Sequence, residues 1–74
     1  MSDKQIFIFQ SVHKVMKADR LLRDNGIFCN LVPVPEYISS ECGMCLMIET
    51  ESLLSCKEML EARDIQFEIY KPNN

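Results

Sequence analysis

The sequence contains no tryptophan, only two glycines and a single histidine among its 74 residues. Two glycines are too few for the glycine-rich loops that cradle phosphates, so nucleotide binding has no support. One histidine excludes the His-Glu-x-x-His zinc motif. The eight lysines and arginines are scattered, and the net charge of −3 argues against a nucleic-acid-binding surface. Several common enzyme and binding classes are therefore excluded.

Long apolar runs are missing as well. A membrane-spanning helix needs about 20 apolar residues, and the apolar run Ile6–Phe9 near the start is shorter than the roughly 7–15 residues of a signal-peptide core. We therefore expect a cytoplasmic protein that does not associate with a membrane. The four cysteines would then stay reduced and serve redox, metal or carrier chemistry rather than a disulfide framework.

The apolar pattern predicts one domain, residues 1–74, built from four strands and two helices. Continuous or alternating apolar residues predict the strands, and apolar residues three or four positions apart predict the helices. We expect strands at Gln5–Gln10, Ile27–Val34, Met44–Glu49 and Ile65–Tyr70, a first helix capped by Ser11 and ended by Asn25-Gly26, and a second helix capped by Thr50 and running to about Arg63.

The order βαββαβ predicts an α+β protein of the ferredoxin-like plan, a four-stranded antiparallel sheet with two helices on one face. The other face would then expose some of Phe7, Phe9, Phe28, Met47 and Tyr70. Because an exposed apolar patch of this kind marks an interaction surface, we predict a homodimer that forms through the sheet.

The connection between the second and third strands carries the best candidate site. Pro33 and Pro35 stiffen it, and Gly43 permits a turn directly after Cys42. In the ferredoxin-like plan this loop and the start of the first helix lie at the same end of the domain. A helix N-terminus favours an anion such as a thiolate, and His13 in the first turn could pair with that thiolate or accept the thiol proton. We therefore predict that Cys42 is a presented, reactive thiol.

Cys42 and Cys45 form a Cys-x-x-Cys pair, a spacing that suits a redox dithiol, half of a zinc site or a copper(I) pair. The pair precedes a strand rather than a helix, which disfavours thioredoxin-like chemistry. No second pair completes a closed zinc site. Cys45 is then strand filler or a resolving thiol for an oxidised Cys42, and binding of zinc or copper by the pair remains an alternative. Cys29 and Cys56 fall on inward faces, where free cysteine acts as a small hydrophobe.

Two serines precede the candidate thiol, Ser39 and Ser40. Neither has a convincing acid or base partner for hydrolysis. Their ordinary role is to bond the backbone of the loop, and a second role is to donate hydrogen bonds to an anionic sulfur or selenium.

Over nearly its whole length the chain resembles the putative Se/S carrier protein-like family of small bacterial domains. The resemblance lies in the segment from Ile6 to Ser11, in Gly26-Ile27, in Pro33-Val34-Pro35 and, most specifically, in Ser39-Ser40-Glu41-Cys42-Gly43. It implies that Cys42 holds sulfur or selenium as a persulfide or selenosulfide and passes it on. The resemblance does not guarantee Cys45, and the family's Gly-Ile before the last strand is Asp64-Ile65 here.

Our first interpretation is therefore a thiol carrier without turnover or cofactor of its own, served by cysteine desulfurase-like or selenium-metabolism proteins as donor and acceptor. A soft-metal module using Cys42 and Cys45 is the second interpretation. An interaction domain that dimerises through its sheet face is the third, because an interaction surface has no need of a cysteine on a proline-stiffened turn.

Overall fold

The structure, a computed structural model, describes residues 3–40 and 42–72. The elements are β1 (Lys4–Ile8), α1 (Val12–Asp24), β2 (Cys29–Pro33), β3 (Met44–Glu49), a 3₁₀ turn (Thr50–Ser52), α2 (Leu53–Ala62) and β4 (Glu68–Tyr70). The strands form one antiparallel sheet in the order β2-β3-β1-β4. The predicted α+β class and ferredoxin-like plan are confirmed. Over the described residues, neither helix has the length and apolar character needed to cross a bilayer.

The main core lies between the two helices and one face of the sheet. The sheet contributes Phe7 and Leu46, and the helices contribute Val15, Leu22 and Leu60, all of them fully buried. Burying each such side chain stabilises the folded state by about 1.5–3 kcal/mol. In a chain this short, which buries only about 60 % of its unfolded surface, this layer supplies most of the buried apolar contacts.

A second, smaller cluster covers the opposite face of the sheet. Ile6, Ile8 and Cys45 are buried there beneath Ile38, which comes from the connection between β2 and β3. Because side chains alternate along a strand, the isoleucines of β1 face this side and Phe7 faces the helices. Val32, Val34 and Met47 pack around the cluster.

The predicted exposure of aromatic residues on this face is wrong for the two phenylalanines of the first strand region. Phe7 and Phe9 are buried in the main core, 5.0 Å separating the ring of Phe7 from that of Phe67. Met47 packs partly buried against the second cluster. Phe28 and Tyr70 are exposed, by 68% and 37% of their surface. The apolar surface left on this face is therefore smaller than predicted, and the homodimer stays a prediction.

Element boundaries follow packing more closely than they follow apolar runs. β1 ends at Ile8, two residues before the predicted end, although Phe9 remains buried. β4 has only three residues because the chain before it places Ile65 and Phe67 against the helices. β2 begins at Cys29, two residues later than predicted.

The cap of the first helix is confirmed and that of the second is wrong. The Ser11 side chain accepts a hydrogen bond from the backbone N–H of Lys14 at 3.2 Å. Thr50 instead accepts a hydrogen bond from the Gln5 side chain at 3.0 Å, and α2 begins only after the 3₁₀ turn, at Leu53.

Both helices end in the same way. After α1, Gly26 has φ +78° and the N–H of Ile27 donates to the Leu22 carbonyl at 2.9 Å. After α2, Asp64 has φ +58° and the N–H of Ile65 donates to the Leu60 carbonyl at 2.9 Å. Glycine adopts this left-handed backbone conformation without strain, whereas Asp64 adopts it at a cost in conformational energy.

We expect Asp64→Gly to raise the free energy of unfolding by about 0.5 kcal/mol, because relief of the left-handed strain outweighs the added freedom of the unfolded chain. The matched control is Gly26→Ala, which should lower it by about 1 kcal/mol. A Cβ at Gly26 meets no atom within 4 Å, so that cost comes from the backbone alone. Urea unfolding measures both, and a less stable Asp64→Gly variant would contradict the strain argument.

Candidate functional site

The candidate thiol lies at the end of the β2–β3 loop, residues 34–43. Backbone bonds fix this loop at two points: Ile38 N–H donates to the Pro35 carbonyl, and Val34 N–H donates to the Gly43 carbonyl, each at 3.0 Å. Gly43 has φ +76°, a conformation that favours glycine. The Tyr37 hydroxyl donates to the Lys71 carbonyl at 3.0 Å. The loop is thus tied both to its own base and to the far end of the chain.

Strand pairing fixes the position of the loop relative to α1. β1 and β2 both run antiparallel to β3, so they are parallel to each other and end at the same edge of the sheet. Ile8, the last residue of β1, lies opposite Cys45. Cys42 precedes Cys45 by three residues, and the helix cap Ser11 follows Ile8 by three residues. The loop and the start of α1 therefore lie at the same end of the sheet, as the fold plan predicted.

The Cys42 side chain is half-buried and packs against the edge of the main core. Its thiol donates to the Met44 carbonyl at 2.8 Å. A second contact of 3.5 Å joins its sulfur to the Ser40 hydroxyl oxygen. Either atom can be the donor in this contact, and Ser40 is the donor when the thiol hydrogen is directed to Met44. Cys42 is thus partly exposed, with a hydroxyl group near its sulfur.

The other three cysteines are fully buried. Burial, followed by the hydrogen bond to Asp19, raises the pKa of Cys29 to about 12. Burial raises the pKa of Cys56 to about 11, and burial together with the charge of Cys42 does the same for Cys45. Since the thiolate is the nucleophile, these thiols are poor ones. The prediction that Cys29 and Cys56 belong to the core is confirmed.

Cys42 and Cys45 face opposite sides of the sheet. Cys45 belongs to the second cluster beneath Ile38, and the only hydrogen bond that its thiol makes within the described residues is to the Pro33 carbonyl, at a long 3.8 Å. Cys42 packs against the main core on the helix side. Shared ligation of a metal or a disulfide between the two would require the sulfurs to turn toward each other. Among the described residues, no group of three or more metal-ligating side chains comes together.

The remaining predicted site residues lie around the thiol without forming a closed set. His13 is exposed in the first turn of α1, and none of the hydrogen bonds within residues 3–40 and 42–72 joins it to Cys42. Its part in holding a thiolate stays a prediction. Ser39 is exposed, Ser40 is half-buried, and Glu41 lies outside the described residues.

A groove of about 900 Å³ opens beside the loop, and sequence reasoning missed it. Ser39 and Ser40 form one wall. The floor is formed by Ile8, Phe9 and Ile65, and the other wall by Glu61, Asp64 and residues 66–68. Ser40 therefore borders both the groove and the Cys42 sulfur. The walls come from segments more than twenty residues apart, so no local sequence pattern could have indicated the groove.

We expect alkylation of the folded protein at pH 8 to modify Cys42 alone. At that pH a thiol whose pKa is about 11, such as Cys45, is ionised only to about one part in a thousand, and burial keeps the reagent away as well. Intact mass after iodoacetamide should show one adduct, lost in Cys42→Ser, and four adducts after unfolding in urea. Modification of Cys45 at a comparable rate would show that the second cluster does not protect it.

Comparison with curated proteins and with solved structures gives no match. The sequence model of one family, described as Putative Se/S carrier protein-like, matches residues 4–71, which is nearly the whole chain. The match includes both walls of the groove and the complete β2–β3 loop with its thiol. The chain belongs to the Putative Se/S carrier protein-like family.

Proposed function

We propose that this protein is a carrier that holds sulfur or selenium on Cys42 and hands it to a partner protein. Membership of the family supports a carrier role. The observation that selects the residue is accessibility: of the four cysteines, three are fully buried and only Cys42 is partly exposed. Carrier function in this sense involves no turnover and no cofactor.

The transfer needs no oxidant. The Cys42 sulfur attacks the outer sulfur of a persulfide on a donor protein, a new sulfur–sulfur bond forms on Cys42, and the donor's own sulfur–sulfur bond breaks. The donor cysteine leaves as a thiolate with the bonding electron pair and takes up the proton that Cys42 loses. Attack by an acceptor thiol on the outer sulfur reverses these steps. Selenium in place of the outer sulfur follows the same balance.

The contacts of Cys42 suit this cycle. The Met44 carbonyl can accept only from the protonated thiol, so that contact is lost when the proton leaves. The Ser40 hydroxyl can then continue to donate to the negative sulfur. A Cβ added at Gly43 would meet no atom within 4 Å, so the space beside this residue is open. The open space next to the thiol supports the approach of a partner's reactive loop. His13 is the first candidate to take the thiol proton.

A cysteine desulfurase-like protein or a selenium-metabolism protein in the cytoplasm fits the roles of donor and acceptor. Metal binding by Cys42 and Cys45 has less support, because Cys45 lies on the opposite side of the sheet under Ile38. Cys45 as a resolving thiol meets the same obstacle. An interaction domain that merely dimerises leaves the exposed thiol and its serine donor without a role.

Incubation with a cysteine desulfurase and cysteine should add the mass of one sulfur atom to the intact protein. Cys42→Ser should abolish the addition, and Cys45→Ala, which removes only a buried thiol, should leave it intact. A low-molecular-weight persulfide serves as a second donor, so that an unsuitable desulfurase does not hide loading. Absence of loading from both donors, or loading of Cys42→Ser, would refute the carrier role of Cys42.

Ser40→Ala should slow loading of Cys42 about fivefold, because one hydrogen bond to a charged atom is lost, worth about 1 kcal/mol. Ser39→Ala, a neighbouring exposed serine without a bond to the thiol, is the matched control and should load normally. The rate of mass addition from a low-molecular-weight persulfide gives the comparison. Equal rates in the two variants would remove Ser40 from the mechanism.

A further inference from the structure

The groove beside the β2–β3 loop combines an apolar floor with an acidic wall. Ile8, Phe9 and Ile65 line the floor and are almost fully buried. The side chains of Gln10 and Gln66 meet by a 3.2 Å hydrogen bond and so connect the two sides. At about 900 Å³, the groove has room for several side chains of a bound chain segment.

The charge of the groove is of one sign. Glu61, Asp64 and Glu68 line it, and none of the described residues that line it is a lysine or an arginine. Lys14 is the cation tied to its edge, where it donates to the Gln10 side chain at 3.0 Å. Facing surfaces of opposite charge steer association and suppress wrong partners. The groove is therefore complementary to a positively charged segment.

The acidic wall also lies at the end of α2, where negative charge is unfavourable for the helix. Glu61 belongs to the last turn of α2, which contains no basic residue, and Asp64 follows the C-cap residue Arg63, so both carboxylates lie near the negative end of the helix dipole. Arg63, the C-cap residue, offsets only part of this charge, and it also lines a separate small groove together with Lys17 and Arg20. A bound lysine or arginine side chain would relieve this unfavourable arrangement.

We propose that this groove binds a lysine- or arginine-bearing segment of the sulfur-donating partner protein and thereby brings the donor's reactive sulfur to Cys42. The geometric link is Ser40, which lines the groove while its hydroxyl oxygen lies 3.5 Å from the Cys42 sulfur. Cys42 itself does not line the groove, so a segment bound there approaches the thiol through its contact with Ser40. This inference rests on the proposed carrier function, because it assigns the surface on which the donor docks.

The experiment measures how fast Cys42 reacts with two short cysteine peptides activated as pyridyl disulfides. One peptide flanks its cysteine with lysine and arginine, and the other with glutamate and aspartate. The Cys42 sulfur attacks the peptide sulfur, a mixed disulfide forms, and thiopyridine leaves with the electron pair and is read by its absorbance. An uncharged dipyridyl disulfide reports the intrinsic reactivity of the thiol.

Three groove carboxylates are neutralised together, in the variant Glu61→Gln, Asp64→Asn, Glu68→Gln. Asparagine tolerates the left-handed backbone of Asp64, and glutamine can still accept the 3.1 Å hydrogen bond that the Tyr70 hydroxyl donates to Glu68.

The matched control removes the same charge from exposed residues outside the groove, in the variant Glu36→Gln, Glu51→Gln, Glu58→Gln.

At low ionic strength the basic peptide should react about tenfold faster than the acidic one. The ratio should fall below about twofold in the groove variant and persist in the control variant. Salt at about 1 M, where the Debye length is about 3 Å, should also abolish the preference for the basic peptide. Equal rates in the unaltered protein, or an equal loss of the ratio in both variants, would overturn the groove assignment.

The test separates this inference from the carrier proposal. A protein that loads sulfur on Cys42 but shows no peptide preference retains the carrier function and lacks the docking groove. A protein that prefers the basic peptide but takes no sulfur from any persulfide has the groove and lacks the carrier function. If the groove variant and the control variant both react normally with the uncharged dipyridyl disulfide, both are folded and retain a reactive thiol.

Discussion

The turn at Gly43, where the β2–β3 loop enters β3, is the constraint on which the arrangement of the site depends. Cys45 lies within β3, where alternation along the strand points it away from the helices, whereas Cys42 lies in the loop before the turn. The structure therefore buries Cys45 on the side away from the helices and leaves Cys42 at the edge on the helix side. The Cys-x-x-Cys spacing, which elsewhere brings two sulfurs together, here places the two cysteines on opposite sides of the sheet.

The β2–β3 loop serves both the fold and the site. Ile38 seals the second cluster, and Tyr37 ties the loop to the Lys71 carbonyl beyond β4. The same loop presents Ser40 and Cys42 at the edge of the sheet. A residue that anchors the loop to the sheet thus also determines where the sulfur stands, which makes stability and the geometry of the site inseparable over these few residues.

The fold could be predicted from the sequence because apolar periodicity reports which face of each element is buried. The two helices, the strand order and the core cysteines followed from it. The burial of Phe7 against the helices could not be predicted from the apolar run Ile6–Phe9 alone. Ile6 and Phe7 are both apolar, and only the register of the strand decides which of them faces the helices. The loop cysteine was found from its prolines and glycine, whereas the groove depends on which distant segments meet and has no local signal.

Because Ile38 is already buried and Gly43 already closes the hairpin, the sulfur is in position before any partner arrives. An incoming protein would spend little of its binding free energy on ordering the loop, since the conformational entropy of those residues was lost when the chain folded. Speed of exchange would then be governed by encounter and release rather than by rearrangement. The proposed carrier role requires this combination, because a carrier engages two different proteins in succession and retains neither.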